Sequence, residues 1–349
     1  MLKNGFGFMS KTKSISFIIP VYNRPDEIKE LLKSFLVLKK NGWHYEIIIA
    51  DDGSNPRLEG TVNAFKRNLP VEYFYKPNSG PGDTRNQAMK KAKGDYLVIL
   101  DSDVVLPDDY MLKLQDFIEA NPGIDMFGGP DTDLPSFDFF QKAVNLSMTS
   151  FLTTGGIRGK KQNLQRYVPR SFNMVLKREV FDRTGGFGNM HPGEDPEWVY
   201  RAWRKGFRTG FAPELKVYHK RRIDWKSFSR QITKFGITRC ILNRLYPEAK
   251  SVVYWAPVLL VGFALLSIVS TFRFGIVALL PFGLYLLAVY LEFLWNVRRL
   301  VLALAALGVF AVQTWSYAKG FLTACIKFLF SAKPPDELFP ELFFKTDEA

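Results

Sequence analysis

A chain of 349 residues has room for one large domain and an appendage, and its 47 basic against 34 acidic side chains leave a formal charge of +13. That excess does not read as a nucleic-acid footprint, because the basic residues concentrate between Lys216 and Lys250, directly before the most apolar part of the chain. The two cysteines, Cys240 and Cys325, stand far apart in sequence and give no ground for a disulfide framework or a zinc site.

In chain order, residues 1–13 form a tail. The first apolar run, Ile15 to Val21, is too short for a signal sequence and leads straight to Asn23, so the large domain is expected to stay in the cytosol. That run reads as a strand, and Pro25 to Lys39 has the apolar spacing of a helix. A second strand, Glu46 to Ala50, is followed by a polar helix from about Arg57 to Arg67. A third strand covers Val71 to Tyr75, then a helix runs from Pro81 to Lys93 with Gly94 as its cap. A short buried strand, Asp95 to Leu100, precedes a helix beginning near Asp108. This βαβαβαβ order predicts an α/β fold with a mostly parallel, Rossmann-like sheet and helices on both faces.

The polar residues gather at the carboxyl ends of these strands. Pro20-Val21-Tyr22-Asn23 ends the first, Asp51-Asp52-Gly53-Ser54 the second, Asn78-Ser79-Gly80-Pro81-Gly82 the third and Asp101-Ser102-Asp103 the fourth. Each has an ordinary explanation as a turn or helix start. Together they line one sheet edge, where open α/β sheets bind ligands. Two carboxylates at i and i+2 at the end of a buried strand need a partner, and a hard divalent cation with oxygen ligands meets that need. Further on, Glu194-Asp195-Pro196 opens a helix through Trp198; by itself, acid there favours the helix N-terminus electrostatically.

This ordered set resembles the family-two glycosyltransferases, with Arg85-Asn86 after the third strand and Gly185-Gly186-Phe187 before Gly193-Glu194-Asp195 completing the pattern over roughly residues 14–240. The resemblance implies the GT-A nucleotide-diphospho-sugar transferase fold and inverting transfer of a sugar. It assigns Asp51 and Asp52 to the nucleobase and ribose, with Pro20, Tyr22, Asn23, Asn78, Gly80 and Arg85 shaping that pocket. Asp101 and Ser102 face the ribose side, Asp103 binds Mg2+ or Mn2+, and His219 completes the metal site. Asp195, with Glu194 beside it, is the expected catalytic base. Arg158, Trp198, Arg230, Gln231 and Arg239 are expected on the acceptor side. The Gln-x-x-Arg-Trp signature of processive polysaccharide synthases is missing from residues 229–239, so the chain looks more like membrane-anchored enzymes that add single sugars to lipid-linked intermediates of bacterial surface glycans. The alternatives are a nucleotidyltransferase on the same fold, a processive synthase, and a membrane scaffold with an inactive transferase domain.

The catalytic domain is thus expected over residues 14–221. Residues 222–250, where Phe228, Ile232, Phe235, Ile237 and Ile241 interleave with Arg230, Lys234, Arg239 and Arg244, read as a basic amphipathic segment resting on membrane lipid. Residues 251–330 are expected to hold two to three transmembrane helices, from the apolar runs Val252 to Phe272, Phe274 to Leu291 and Leu300 to Tyr317, flanked by tryptophan and tyrosine. By the positive-inside rule the protein is a multi-pass protein of the cytoplasmic membrane with its catalytic domain in the cytosol. Three crossings would put the tail 331–349 outside, a placement that Lys319, Lys327 and Lys333 fit poorly, and a third segment that lies flat or re-enters is the alternative.

Overall fold

The computed structural model describes residues 13–39, 42–132, 138–154, 167–219 and 224–344. A seven-stranded sheet organises the first part, in the order β3-β2-β1-β4-β8-β6-β9. Its strands are β1 (Ser14–Val21), β2 (His44–Asp51), β3 (Val71–Tyr75), β4 (Tyr96–Leu100), β6 (Met126–Gly128), β8 (Asn173–Lys177) and β9 (Thr209–Phe211). The strands β3, β2, β1 and β4 are parallel, whereas β8 runs antiparallel to both β4 and β6. β1 alternates Phe17 and Ile19 into one core layer with Ile18 into the other, and β4 divides Val98 and Leu100 from Leu97 and Ile99 in the same way. Burial on both faces explains why these strands read as continuous apolar runs.

The crossovers are α1 (Pro25–Leu36), α2 (Glu59–Asn63) and α3 (Pro81–Lys91), followed by α4 (Tyr110–Ala120). Two local expectations change. The polar helix after β2 shrinks to five residues, since Leu58 and Val62 supply its buried anchors. Gly94 does not cap α3: its backbone abuts β1, where a Cβ would lie 2.6 Å from the Ser16 nitrogen.

A smaller three-stranded sheet, β5-β10-β7, sits over the edge; β5 is Val104–Val105, β7 Asp131–Thr132 and β10 Val217–His219. The helices α5 (Phe139–Thr149), α6 (Phe151–Thr154), α7 (Arg178–Thr184) and α8 (Glu194–Arg204) complete the catalytic part. α9 (Trp225–Leu245), α10 (Ala256–Phe274), α11 (Leu280–Val297), α12 (Leu300–Phe330) and the single turn α13 (Pro335–Leu338) follow.

α9 departs from the expected lipid-resting helix. Its apolar residues Phe228, Ile232 and Ile241 are buried, and the helix lies along α12. The two cross closely because glycine faces backbone on both sides. A Cβ on Gly236 would stand 2.3 Å from the Tyr317 carbonyl oxygen, and one on Gly320 2.1 Å from that of Thr233. Cys240 and Cys325, free thiols, meet at the same seam with sulfurs 3.2 Å apart.

Two stretches are long and apolar enough to cross a membrane, 252–297 and 300–330. The first is a helical hairpin: Phe263 and Phe282 have ring centroids 5.8 Å apart, whereas nineteen residues of straight helix would extend about 28 Å. Gly275, at φ +68°, ends α10 at the bend. Hardly any side chain of the hairpin is buried; Val289 and Phe293 near the end of α11 are, and Glu292 beside them is half-buried. Glu292 of α11 accepts hydrogen bonds from the Ser150 hydroxyl (2.6 Å) and from the backbone N–H groups of Phe151 (2.8 Å) and Leu152 (3.0 Å), so its carboxylate is consumed in starting α6. The second stretch, α12, is docked on the catalytic part through α5 and α9, and the chain beyond it returns to the same body.

Candidate active site

The chain runs from β1 outward to β2 and β3, then crosses back to β4 on the other side of β1. The carboxyl ends of β1 and β4 therefore flank the switch point at which such sheets open a crevice. Asp101 and Asp103 follow β4. Antiparallel pairing of β10 with β5 places His219 opposite Val104, one residue from Asp103. His219 Nε2 stands 3.1 Å from Asp103 Oδ1, and its ring stacks on Phe172. Ligand atoms of Asp101, Asp103 and His219 all lie within 4.8 Å of one another. Two carboxylates and an imidazole are a donor set that suits Mn2+ or Mg2+. Burial would raise the Asp103 carboxyl, but the His219 hydrogen bond and the Arg24 guanidinium, 2.5 Å away, hold it below the usual carboxylate range. Arg24, which the sequence reading passed over, supplies positive charge at the Asp103 carboxylate.

The Asp51-Asp52 pair is engaged by the loops that follow β2 and β3. Asp51 is fully enclosed: its oxygens accept from the N–H groups of Ser54 (2.8 Å) and Leu58 (3.1 Å) and from the Tyr73 hydroxyl (2.7 Å). It shapes the turn that follows β2. Asp52, also buried, accepts from the N–H groups of Ser79 (3.0 Å) and Gly80 (3.1 Å) and from Asn78 Nδ2 (3.2 Å), and pairs with Lys76 at 2.5 Å. Lys76 in turn donates to the Ser79 and Thr84 hydroxyls. The carboxylate thus ties the β2 and β3 loops together, and Lys76, absent from the sequence reading, neutralises it. Asn23, at φ +53°, accepts from the Asn55 N–H (2.9 Å) and donates its own N–H to the Ser54 hydroxyl (2.8 Å). Pro20 lies in register with Ala50 within the sheet, Ser102 is buried, and Tyr22 is 51% exposed on the rim.

Arg85, on α3, connects the two halves of the crevice instead of facing a base. Its guanidinium contacts Asp101 Oδ1 at 2.7 Å and Glu194 Oε1 at 3.4 Å. Glu194 also meets His191 Nδ1 at 2.9 Å. Burial opposes ionisation of Glu194, but His191 and Arg85 prevail and hold its carboxyl low. Asp195 goes the other way: burial first and the neighbouring Glu194 charge second push its carboxyl above the usual range. One Asp195 oxygen accepts from the Ser171 N–H (3.1 Å), while Oδ1 is buried with no hydrogen-bond partner among the described residues. Two adjacent carboxylates with opposite shifts are the pattern of a charged anchor beside a proton acceptor.

Trp198 is a correction. It is 0% exposed, packs on Phe187 and donates its indole N–H to the Thr184 hydroxyl (2.6 Å), so it is core and not acceptor surface. Arg230 and Gln231, on α9, are exposed. Arg239 does reach the site's flank: it donates to the Tyr200 hydroxyl at 2.9 Å and lies 4.0 Å from the Tyr254 ring centre. Its neighbour Thr238 donates to the Pro192 carbonyl, just before Glu194. Arg158 lies outside the described residues.

This arrangement of sheet, acidic pair and acidic helix start has the GT-A architecture. Residues 16–185, just under half of the chain, match the family described as Glycosyl transferase family 2. An uncharacterized glycosyltransferase of Rickettsia conorii is 38% identical over 107 residues, 31% of this chain and 17% of that protein. Glycosyltransferase AglE of Haloferax volcanii is 24% identical over 255 residues, 71% of this chain and 81% of AglE. The chain spans about a sixth of the length of the curated relatives it matches most strongly. Among solved structures, the mannosyltransferase PcManGT of Pyrobaculum calidifontis, in complex with GDP-Man and Mn2+, superposes over 93% of this chain and 89% of its own with a TM-score of 0.55 at 17% identity, which establishes the shared fold.

Proposed function

We propose that the protein transfers a sugar, with inversion, from a nucleotide-diphospho-sugar, a UDP-sugar foremost, to a hydroxyl of a lipid-linked acceptor at the cytoplasmic face of the membrane, as a step in bacterial surface-glycan synthesis. The observation that carries this reading is the buried, unpartnered Oδ1 of Asp195, set across Arg85 from the Asp101, Asp103 and His219 cluster. Mannosyl transfer chemistry in PcManGT and the name of a poly(ribitol-phosphate) beta-glucosyltransferase of Bacillus spizizenii, 36% identical over 110 residues, point the same way.

Asp101, Asp103 and His219 would hold Mn2+ or Mg2+, which supplies positive charge for the departing diphosphate. Arg85 fixes the Asp101 carboxylate and sets its distance from Glu194. Ser171 orients Asp195 by one oxygen and leaves the other to take the proton of the acceptor hydroxyl as that oxygen bonds to the anomeric carbon. The bond from that carbon to the diphosphate breaks, and its electron pair leaves with the nucleoside diphosphate. A carboxyl raised toward neutrality is a better proton acceptor than an ordinary aspartate. Arg239 and the neighbouring Tyr254, which opens the apolar hairpin, form the acceptor-phosphate side.

The membrane part of the reading rests on the hairpin. Two helices of about 28 Å match a hydrocarbon core of about 30 Å, and a pair of crossings returns the chain to the side it left. Because α12 and residues 339–344 pack on the catalytic part, an even number of crossings resolves the conflict that three would create with Lys319, Lys327 and Lys333. Purified full-length protein in lipid, given Mn2+ and a panel of UDP- and GDP-sugars, is expected to release nucleoside diphosphate and glycosylate a sugar hydroxyl of a polyprenyl-diphosphate-linked saccharide. Conversion of the donor to nucleoside triphosphate and sugar 1-phosphate on addition of pyrophosphate would instead identify a nucleotidyltransferase, and no turnover with any donor would leave the scaffold reading.

A further inference from the structure

The segment after α12 returns to the crevice. Phe339 and Leu342, each 1% exposed, anchor it among Met190, Tyr200, Ile241 and Phe321. Beyond them it pairs with the loop that leads into α8. The His191 N–H donates to the Leu342 carbonyl (2.7 Å), the Phe344 N–H to the Asn189 carbonyl (2.9 Å), and Met190 forms an antiparallel bridge with Phe343. The Phe344 ring then covers Gly80, where a Cβ would come within 2.5 Å of ring carbons, and faces the His191 ring at 6.2 Å. Gly80 belongs to the loop that Asp52 holds, and His191 is the partner of Glu194. One apolar ring therefore closes the seam between the donor-side and acceptor-side loops.

We propose that residues 339–344 are a wall of the active-site crevice and that Phe344 is a specificity-determining residue, favouring the acceptor hydroxyl over water. The proposal rests on the transferase reading above. The competing reaction is hydrolysis: a water oxygen bonds to the anomeric carbon, its proton passes to Asp195, and the diphosphate oxygen leaves with the bonding pair. Excluding water from a closed site suppresses this side reaction. A phenyl ring does so without offering a nucleophile of its own, and Gly80 is the residue that leaves room for it.

The test uses the full chain in lipid with Mn2+, UDP-GlcNAc and GDP-mannose as donors and a short polyprenyl-diphosphate-linked saccharide as acceptor. Phe344→Ala should raise acceptor-independent release of nucleoside diphosphate several-fold and lower the ratio of transfer to hydrolysis, while Phe344→Trp keeps the parent ratio. A purely structural role would lower thermal stability and both rates together, leaving the ratio fixed, and that result overturns the proposal. Hydrogen exchange supplies a readout independent of turnover: in a chain ending at Pro334, amides 189–191 should exchange at least tenfold faster than in the parent, with β1 and β4 unchanged. Equal exchange overturns the wall. A parent that releases nucleoside diphosphate from no donor overturns the transferase reading instead, and the exchange result then decides the wall by itself.

Discussion

The donor side and the acceptor side of the crevice are built by different means. On the donor side, Asp51 and Asp52 are satisfied by partners from Ser54 to Gly80, supplied by adjacent loops of one parallel sheet. Its polar groups are saturated, so the loops are rigid before any ligand arrives. On the acceptor side, Asp195 keeps an unpartnered oxygen, and its loop is braced by Thr238 of α9 and by Leu342 beyond α12. In the proposed mechanism the first region holds its loops in place and the second supplies the buried, half-satisfied carboxylate that accepts a proton.

Four measurements sharpen or break that contrast. The largest effect is expected from Asp195→Asn, which keeps the shape and removes the proton acceptor: transfer should fall by roughly 10²–10⁴-fold with nucleotide affinity unchanged by calorimetry. Near-normal turnover would return Glu194 and Asp195 to helix-start electrostatics. Next is Asp103→Ala, which should abolish the dependence of nucleotide-sugar binding on Mn2+ with the fold intact by circular dichroism. A retained metal response would place the cation elsewhere. On the donor side the loss should appear in stability first. Lys76→Met strips the cation from a buried pair and should cost about 3 kcal/mol in denaturant unfolding. A change under about 0.5 kcal/mol would show the loop to be held without it.

The smallest effect is a shift in pH dependence. Asp195 must be ionised to accept a proton, and its carboxyl is raised by burial and by Glu194, so activity should climb with pH through a limb above the ordinary aspartate value of about 3.9. Glu194→Gln removes the second cause and leaves burial, so the limb should move to lower pH without reaching that value. Movement in the opposite direction, or none, would show that Asp195 does not govern the limb.

Legibility followed the range of the interactions. The β1 to β4 run was readable because a strand buried on both faces is a continuous apolar run, and the loops that follow it carry turn chemistry of their own. The Asp-x-Asp pair was readable for the same reason, as charge at the end of such a strand. Arg24 and Lys76 were not, although each sits within a few residues of a recognised motif, because a cation's partner is fixed only when loops converge. Trp198 misled, since an aromatic beside an acidic pair looks the same whether it faces a ligand or the Phe187 core. α9 misled likewise: its amphipathic face is written in the sequence, but whether lipid or α12 covers it depends on Gly236 and Gly320 meeting across the seam.

The sequence by itself determined the parallel sheet, the row of polar loops along its edge and the apolar character of residues 252–330, all consequences of hydrophobic period and turn residues that act over a few positions. Only the tertiary structure decided which acids brace loops and which stay reactive, that His219 joins Asp103 through strand pairing, and that the chain after α12 comes back to Gly80 and His191. Those outcomes depend on desolvation and on contacts between distant segments, which no local pattern encodes.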